Sequence, residues 1–254
     1  MQITILGCGT SGGVPRIGNE WGACDPNEPK NRRRRCSILV EDQGSKVLID
    51  TSPDIREQLL DAGVGELDGV VWTHEHADQC HGIDELRVLA IRNRQRVEVW
   101  GNHLTLDVLM RRFDYCFKQL DGSPYPAILN AHYIEAETPF KVGNIEFLPF
   151  DQDHGSVISL GFRMGKIGYS NDLVNLDDRG FELLEGVDTW IVDAMRYKPH
   201  PTHVNLETAL KWIERLKPRR AILTNMHVDL DYQTLLKELP ENVEPAYDGM
   251  VITV

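Results

Sequence analysis

The chain has 254 residues and a formal net charge of −12, with 41% hydrophobic and 26% charged residues, a composition that suits one soluble globular domain spanning 1–254. The acidic balance argues against a nucleic-acid polymer as partner, which needs a basic footprint, and no apolar run nears the ~20 residues that cross a bilayer. The amino terminus goes straight into a strand-like alternation with no basic region or cleavage pattern, which predicts a cytoplasmic location.

In chain order, residues 2–7 read as a strand ending in the glycine-rich turn Gly7-Cys-Gly-Thr-Ser-Gly-Gly-Val-Pro15, and a loop rich in Pro, Asn and Arg runs to about residue 35. Two short strands, Cys36–Glu41 and Lys46–Asp50, flank the turn Asp42-Gln43-Gly44. Ser52 and Pro53 read as the cap and first position of a helix Pro53–Ala62, with Ile55, Leu59 and Leu60 on one face and a stop at Gly63. The continuous apolar run in Asp68–Thr73 predicts a strand buried within a sheet. A helix over about 82–93, a strand near Val97–Trp100 and a helix over Leu104–Phe117 follow, while 118–135 reads as irregular. In the helix 104–117, Leu106, Met110, Phe113 and Phe117 fall at helical spacing and predict a core face, a homodimer face being the alternative. Strands are expected at 145–150, 157–164 and 166–170, then helix 176–185, strand 189–194, helix 206–217, strand 220–225, helix 231–239 and strand 250–254. Two halves with strands followed by helices predict an α/β (α+β) chain of two packed sheets with helices outside.

His74 and His76 stand two residues apart at the carboxyl end of the apolar strand, in a turn that can aim both imidazoles at one ion, and Asp78 adds an oxygen ligand. Such a set suits zinc, manganese or iron and leaves positions for water. Asp50 ends a neighbouring buried strand and is placed to accept an N–H from a ligand histidine. The glycine turn lacks the GK[ST] of a Walker loop; its Ser11 and Gly12 let the backbone approach a metal pocket or a substrate phosphate. Arg32–Arg35 read either as a solvated loop or as an anion-binding edge, and His103 and His132 as structural. Five scattered cysteines without a CxxC pair predict buried, reduced thiols.

The segment Thr73-His-Glu-His-Ala-Asp-Gln-Cys-His-Gly82 resembles the HxHxDH loop of metallo-β-lactamase-fold hydrolases. The glycine turn, Val47-Leu-Ile-Asp50, Gln152-Asp-His154-Gly, Tyr169-Ser-Asn-Asp172 and Ala221-Ile-Leu-Thr-Asn-Met-His227 follow in the family's order, so the likeness covers nearly the whole chain. Within the superfamily it is most similar to the PhnP-type phosphodiesterases, relatives of tRNase Z. The resemblance implies a four-layer αββα sandwich with divalent metal, zinc or manganese, at one edge between the sheets. It implies that His74, His76 and His154 hold a first ion, that Asp78 serves a second, and that Asp172 bridges the two. It also implies that His203 protonates the leaving oxygen, a role suited to imidazole near neutral pH, while Asp78 or Asp172 orients the attacking hydroxide. The implied substrate is a small phosphodiester, of the cyclic nucleotide or ribosyl cyclic phosphate type, with Arg32–Arg35 or Arg111-Arg112 available to a second phosphate.

Two departures from the family pattern fall together. Gln79 and Asn225 stand where the family has histidines, both on the second metal site. An amide is the weaker ligand, so that site is expected to be empty, weak, or tuned to manganese or magnesium. His81 and His227, each two residues beyond a lost ligand, are candidates to replace it or to touch a ligand or the substrate. Only Cys24 remains of the cysteine cluster that carries a separate structural zinc in PhnP-type enzymes, so that zinc is expected to be missing. Two other readings stay open. One is hydrolysis of a thioester or lactone on the same fold; the other is a non-catalytic binding protein with a degenerate second metal site.

Overall fold

The computed structural model describes residues 1–254 as two seven-stranded sheets packed face to face. The first sheet holds β1 (Gln2–Gly7), β2 (Ser37–Asp42), β3 (Ser45–Ile49), β4 (Gly69–Val71), β5 (Val97–Gly101), β6 (Leu129–Tyr133) and β14 (Val251–Thr253), in the order β14-β1-β2-β3-β4-β5-β6. The second holds β7 (Phe140–Val142), β8 (Ile145–His154), β9 (Val157–Met164), β10 (Ile167–Ser170), β11 (Thr189–Asp193), β12 (Arg220–Thr224) and β13 (Val243–Pro245), in the order β13-β12-β11-β10-β9-β8-β7.

The two-residue period of a strand explains the layering. Ile3 and Ile5 of β1, Ile38 and Val40 of β2, and Val47 and Ile49 of β3 point into the core shared with the second sheet. Leu6, Leu39 and Leu48 alternate with them and face outward, into a separate cluster. There they meet Ile55 and Leu59 of α1 (Ile55–Asp61), Leu86 and Leu89 of α3 (Leu86–Asn93), and Leu106 and Leu109 of α4 (His103–Arg112). The short α2 (Ala77–Cys80) and α5 (Asp114–Phe117) add Cys80 and Cys116 to that layer. Across the molecule, α6 (Asp178–Leu184), α7 (Leu206–Leu216) and α8 (Tyr232–Glu238) cover the second sheet with Phe181, Leu184, Ala209, Ile213 and Leu235. The result is the four-layer αββα sandwich. No helix is long and apolar enough to cross a membrane, and all five cysteines are free and buried.

Three strands were not expected from the sequence, and all three are sheet edges: β6 closes one side of the first sheet, β7 and β13 the two sides of the second. An edge strand can be short and half exposed, as β6 is along Asn130–Tyr133, so it carries little apolar alternation. The helix expected over 104–117 breaks at Phe113, whose φ of −130° is not helical. Leu106 and Leu109 are nevertheless in the core, with Met110, Phe113 and Phe117 packed against it. Ser52 is not a helix cap. Its hydroxyl donates to Gln58 Oε1 at 2.8 Å, and the helix starts two residues after Pro53, behind Asp54.

The arginine run is mostly engaged within the protein. Arg33 is buried and donates to Leu230 O at 2.7 Å and Asn31 Oδ1 at 3.3 Å. Arg34 pairs with Asp61 at 2.8 Å and Asp248 at 3.1 Å, and Arg35 with Asp54 at 2.7 Å. These three are clamps rather than an open anion edge.

Asp231 completes that clamp. It caps α8 by accepting from Thr234 N at 2.9 Å and also takes Asn31 Nδ2 at 2.7 Å and Asp25 N at 3.1 Å. Burial pushes its carboxyl pKa up, but the bonds from Asn31, Asp25 and Thr234 outweigh it and hold the value at about 2. A depressed carboxyl contributes stability that is present above about pH 4 and lost as the pH falls through about 2. Asp231→Ala is expected to cost about 1–2 kcal/mol in urea unfolding at neutral pH and to flatten the acid limb of the stability curve. An unchanged acid limb in that variant would count against the assignment.

Candidate metal centre

The chemistry-bearing residues gather where strands of both sheets end. Asp50 follows β3, His74 follows β4 by way of Trp72-Thr73, and His154 is the last residue of β8. Asp172 follows β10, Asp193 is the last residue of β11, and Asn225 follows β12. These ends leave ligand-capable side chains in the crevice beyond the sheets. Asp50, Asp172 and Asn225 have left-handed backbone, with φ of 65°, 54° and 58°. Asp and Asn tolerate that region best among residues with a side chain, and such turns concentrate at functional sites. Trp72 anchors the histidine loop: it is wholly buried, and its indole N–H donates to Thr51 Oγ1 at 2.9 Å.

His74, His76 and His154 converge. His76 Nδ1 lies 2.9 Å from His74 Nε2 and 3.2 Å from His154 Nε2. Tetrahedral coordination at ~2.0–2.1 Å per nitrogen sets such nitrogens about 3.3 Å apart, so the spacing fits one ion. The second ring nitrogens fix the tautomers. His154 Nδ1 donates to Thr202 O at 2.7 Å, leaving Nε2 as a lone pair. His74 Nδ1 donates to Thr73 Oγ1 at 3.0 Å, and that hydroxyl donates on to Asp50 Oδ2 at 2.9 Å. Asp50 therefore supports His74 through Thr73, not by the direct N–H bond expected from the sequence. Burial, reinforced by His154 and His76, keeps the pKa of His74 far below the usual histidine range. Burial and the neighbouring His203 hold that of His154 at about 4. Burial lifts Asp50 to about 8, against the Thr73 N–H and O–H that both bond to it. His74 and His154, neutral with Nε2 lone pairs turned inward, and the converging Nδ1 of His76 form a donor set that fits a divalent ion.

Asp172 lies beside this triad and is almost completely buried. Its Oδ2 takes Asn171 Nδ2 at 2.7 Å and Gln79 Nε2 at 2.8 Å, and its Oδ1 takes Asn225 Nδ2 at 3.2 Å. Burial raises its pKa well above the carboxylate range, opposed by His203 and aided by Asp78 and Asp193. Gln79 Nε2 also reaches Asp78 Oδ2 at 3.4 Å. His203 comes in on the loop before α7, a helix capped as expected by Asn205 Oδ1 on Thr208 N at 3.3 Å. Its Nδ1 sits 2.9 Å from Asp193 Oδ2 and 3.5 Å from Asp172 Oδ1, with its ring against His154. Burial alone would lower the pKa of His203, but Asp193, Asp172 and Asp78 together raise it to about 9.

Asp193 is the functional residue that sequence reasoning missed. It is completely buried and grips both His203 and Asn225 Nδ2, the latter at 3.2 Å. Its signal was an acid closing the apolar run Trp190-Ile-Val192, the same pattern that marks Asp50 after Val47-Leu-Ile49.

Other expected residues lie apart from the triad. His81 is exposed and rests edge-on against Phe113, so it does not take the place of a lost ligand. His227 contacts Arg16 through Nε2 and Asp229 through Nδ1, at 3.2 Å for the latter. Arg16 in turn lies over Gly12, and Ser11 and Gly12 are exposed on the turn beneath it. Arg112 donates to Glu75 O at 2.7 Å and so braces the histidine loop. His103 stacks on Tyr133 and His132 on Trp100, as structural residues do.

Comparison with known proteins agrees with this geometry. Residues 45–226 match the model of a beta-lactamase superfamily domain. The chain is 34% identical to a diphosphatase from the PhnP family, covering 99% of this chain and 96% of that one, with a TM-score of 0.91. Human tRNase Z, short form, shares the fold at 19% identity and a TM-score of 0.70, over 100% of this chain and 99% of that one. An octanoyltransferase of Porphyromonas gingivalis is 32% identical over 98% of this chain, which spans 51% of that protein's length.

Proposed function

Because the chain belongs to the metallo-β-lactamase superfamily, and within it to the PhnP family, we propose that it is a metal-dependent phosphodiesterase. The observation that carries this reading is the convergence of three imidazole nitrogens beside His203, which Asp193 holds. In this reading His74, His76 and His154 hold a divalent ion, and a three-imidazole set favours zinc, with manganese as the alternative. When bound, that ion supplies a water of lowered pKa and a Lewis acid for the phosphoryl oxygen. Asp78 orients the attacking water from the first turn of α2. His203, with Nδ1 committed to Asp193, keeps Nε2 for the proton that the leaving oxygen requires. Thr73 and Asp50 hold His74 in its tautomer, and the Thr202 carbonyl does the same for His154.

The catalytic unit is the whole chain, and the substrate is a small phosphodiester of the cyclic nucleotide or ribosyl cyclic phosphate type. Support comes from the 34% identity to a PhnP-family diphosphatase and from the net charge of −12, which repels a polyanion. A second reading, hydrolysis of an acyl bond such as a thioester, has one observation in its favour: the matched half of the Porphyromonas gingivalis octanoyltransferase. One comparison separates them. The purified, zinc- or manganese-loaded protein is expected to turn over bis(p-nitrophenyl) phosphate, to lose that activity to a chelator and to regain it with added ion. Turnover of an acyl thioester but of no phosphodiester would reverse the choice.

A further inference from the structure

We propose that the protein holds a single tightly bound divalent ion, and that the amide groups of Gln79 and Asn225 occupy the electrostatic place of a second. The inference rests on the reading of His74, His76 and His154 as ligands. A second ion beside this triad would have to be shared by Asp78 and Asp172. Gln79 puts its amide nitrogen between those two carboxylates, 2.8 Å from Asp172 Oδ2 and 3.4 Å from Asp78 Oδ2. Asn225 does the same on the other side, its nitrogen 3.2 Å from Asp172 Oδ1 and 3.2 Å from Asp193 Oδ2.

Lone-pair capacity argues the same way. With a cation at the triad to keep it ionised, the Asp172 carboxylate would offer about four acceptor sites, and it already receives Asn171, Gln79 and Asn225. That leaves one site for an ion at the triad and none for a bridge to another.

The amide orientations follow from their surroundings. Turning Asn225 round would set its oxygen against Asp172 and Asp193; as it stands, that oxygen faces the Cys36 sulfur at 3.9 Å. Burial keeps Cys36 a protonated thiol, a weak donor to that oxygen. Turning Gln79 round would set an oxygen between two carboxylates. Its present orientation leaves Oε1 buried without a partner, the lesser cost. Both side chains are almost wholly buried, so neither can swing aside to admit an ion. Two neutral side chains with their N–H2 groups toward three acids thus do what a cation does in a dinuclear centre.

The test is a metal count on the full chain, stripped with chelator, reloaded with zinc or cobalt and freed of excess ion. We expect one equivalent per chain in the wild type, with the cobalt absorption titration breaking at one, and two equivalents in the Gln79→His/Asn225→His double variant. Two tight equivalents in the wild type, or one in the folded double variant, would overturn the proposal. Should the double variant fail to fold, Gln79→Glu keeps the side chain's shape while removing the donor, and the same two outcomes apply to it. The count is independent of substrate. One equivalent without phosphodiesterase activity leaves this inference standing and removes the function proposed above; two equivalents with activity do the reverse.

Discussion

Replacing His203 by alanine is expected to slow cleavage of an alkoxide-leaving phosphodiester, such as a nucleoside 2′,3′-cyclic phosphate, by about 10²–10⁴-fold in kcat, the usual range for a positioned general acid. The same variant is expected to lose far less against bis(p-nitrophenyl) phosphate, because nitrophenolate departs without a proton. Metal content should be unchanged, since the three converging nitrogens belong to His74, His76 and His154. Asp193→Asn is expected to behave as a milder His203 variant. His203 Nδ1 lies 2.9 Å from Asp193 Oδ2, and an amide there would neither hold the tautomer nor favour the imidazolium. An equal loss on both leaving groups would mean that His203 orients the substrate and does not donate a proton.

Replacing His154 by alanine should have the other large effect. It removes one of three nitrogens and also frees the Thr202 carbonyl that His154 Nδ1 holds at 2.7 Å, next to His203. Loss of one preorganised electrostatic group in an active site costs ~10²–10³ in rate, and here the ion itself is at stake, so activity is expected to fall on the order of 10³-fold or more. Stability gives an independent readout. An ion that binds only the folded chain stabilises it by about 2.7 kcal/mol at a hundred times its Kd. The wild-type Tm should therefore rise with added zinc, and the variant's should not. A His154→Ala chain that keeps its ion and its zinc-dependent Tm would move the metal centre away from the triad.

Much of the site was legible because its signals are local. The HxHxD spacing after an apolar strand, the Asn205 cap behind His203 and the turn glycines all depend on neighbours a few residues away. The same holds for the central strands, where burial on both faces leaves long apolar runs. The edge strands β6, β7 and β13 escaped because a short strand with one exposed side needs no such run. Asp193 escaped for a related reason: a single acid at a strand end looks like the start of a loop until its partners are known.

The amino-acid sequence by itself determined the two-sheet architecture, the histidine cluster and the two departures at Gln79 and Asn225. Tertiary structure alone decided which acid holds His203, that Thr73 stands between Asp50 and His74, and that the arginine run pairs with Asp54, Asp61 and Asp248. It also decided which end of each amide faces Asp172. The physical reason is distance along the chain. Gln79 lies on α2, beyond a strand of the first sheet, and Asp172 and Asn225 on loops after β10 and β12 of the second, 93 and 53 residues from one another. Local propensity therefore says nothing of their contact, and only the packing of sheet on sheet brings their polar ends into one buried crevice.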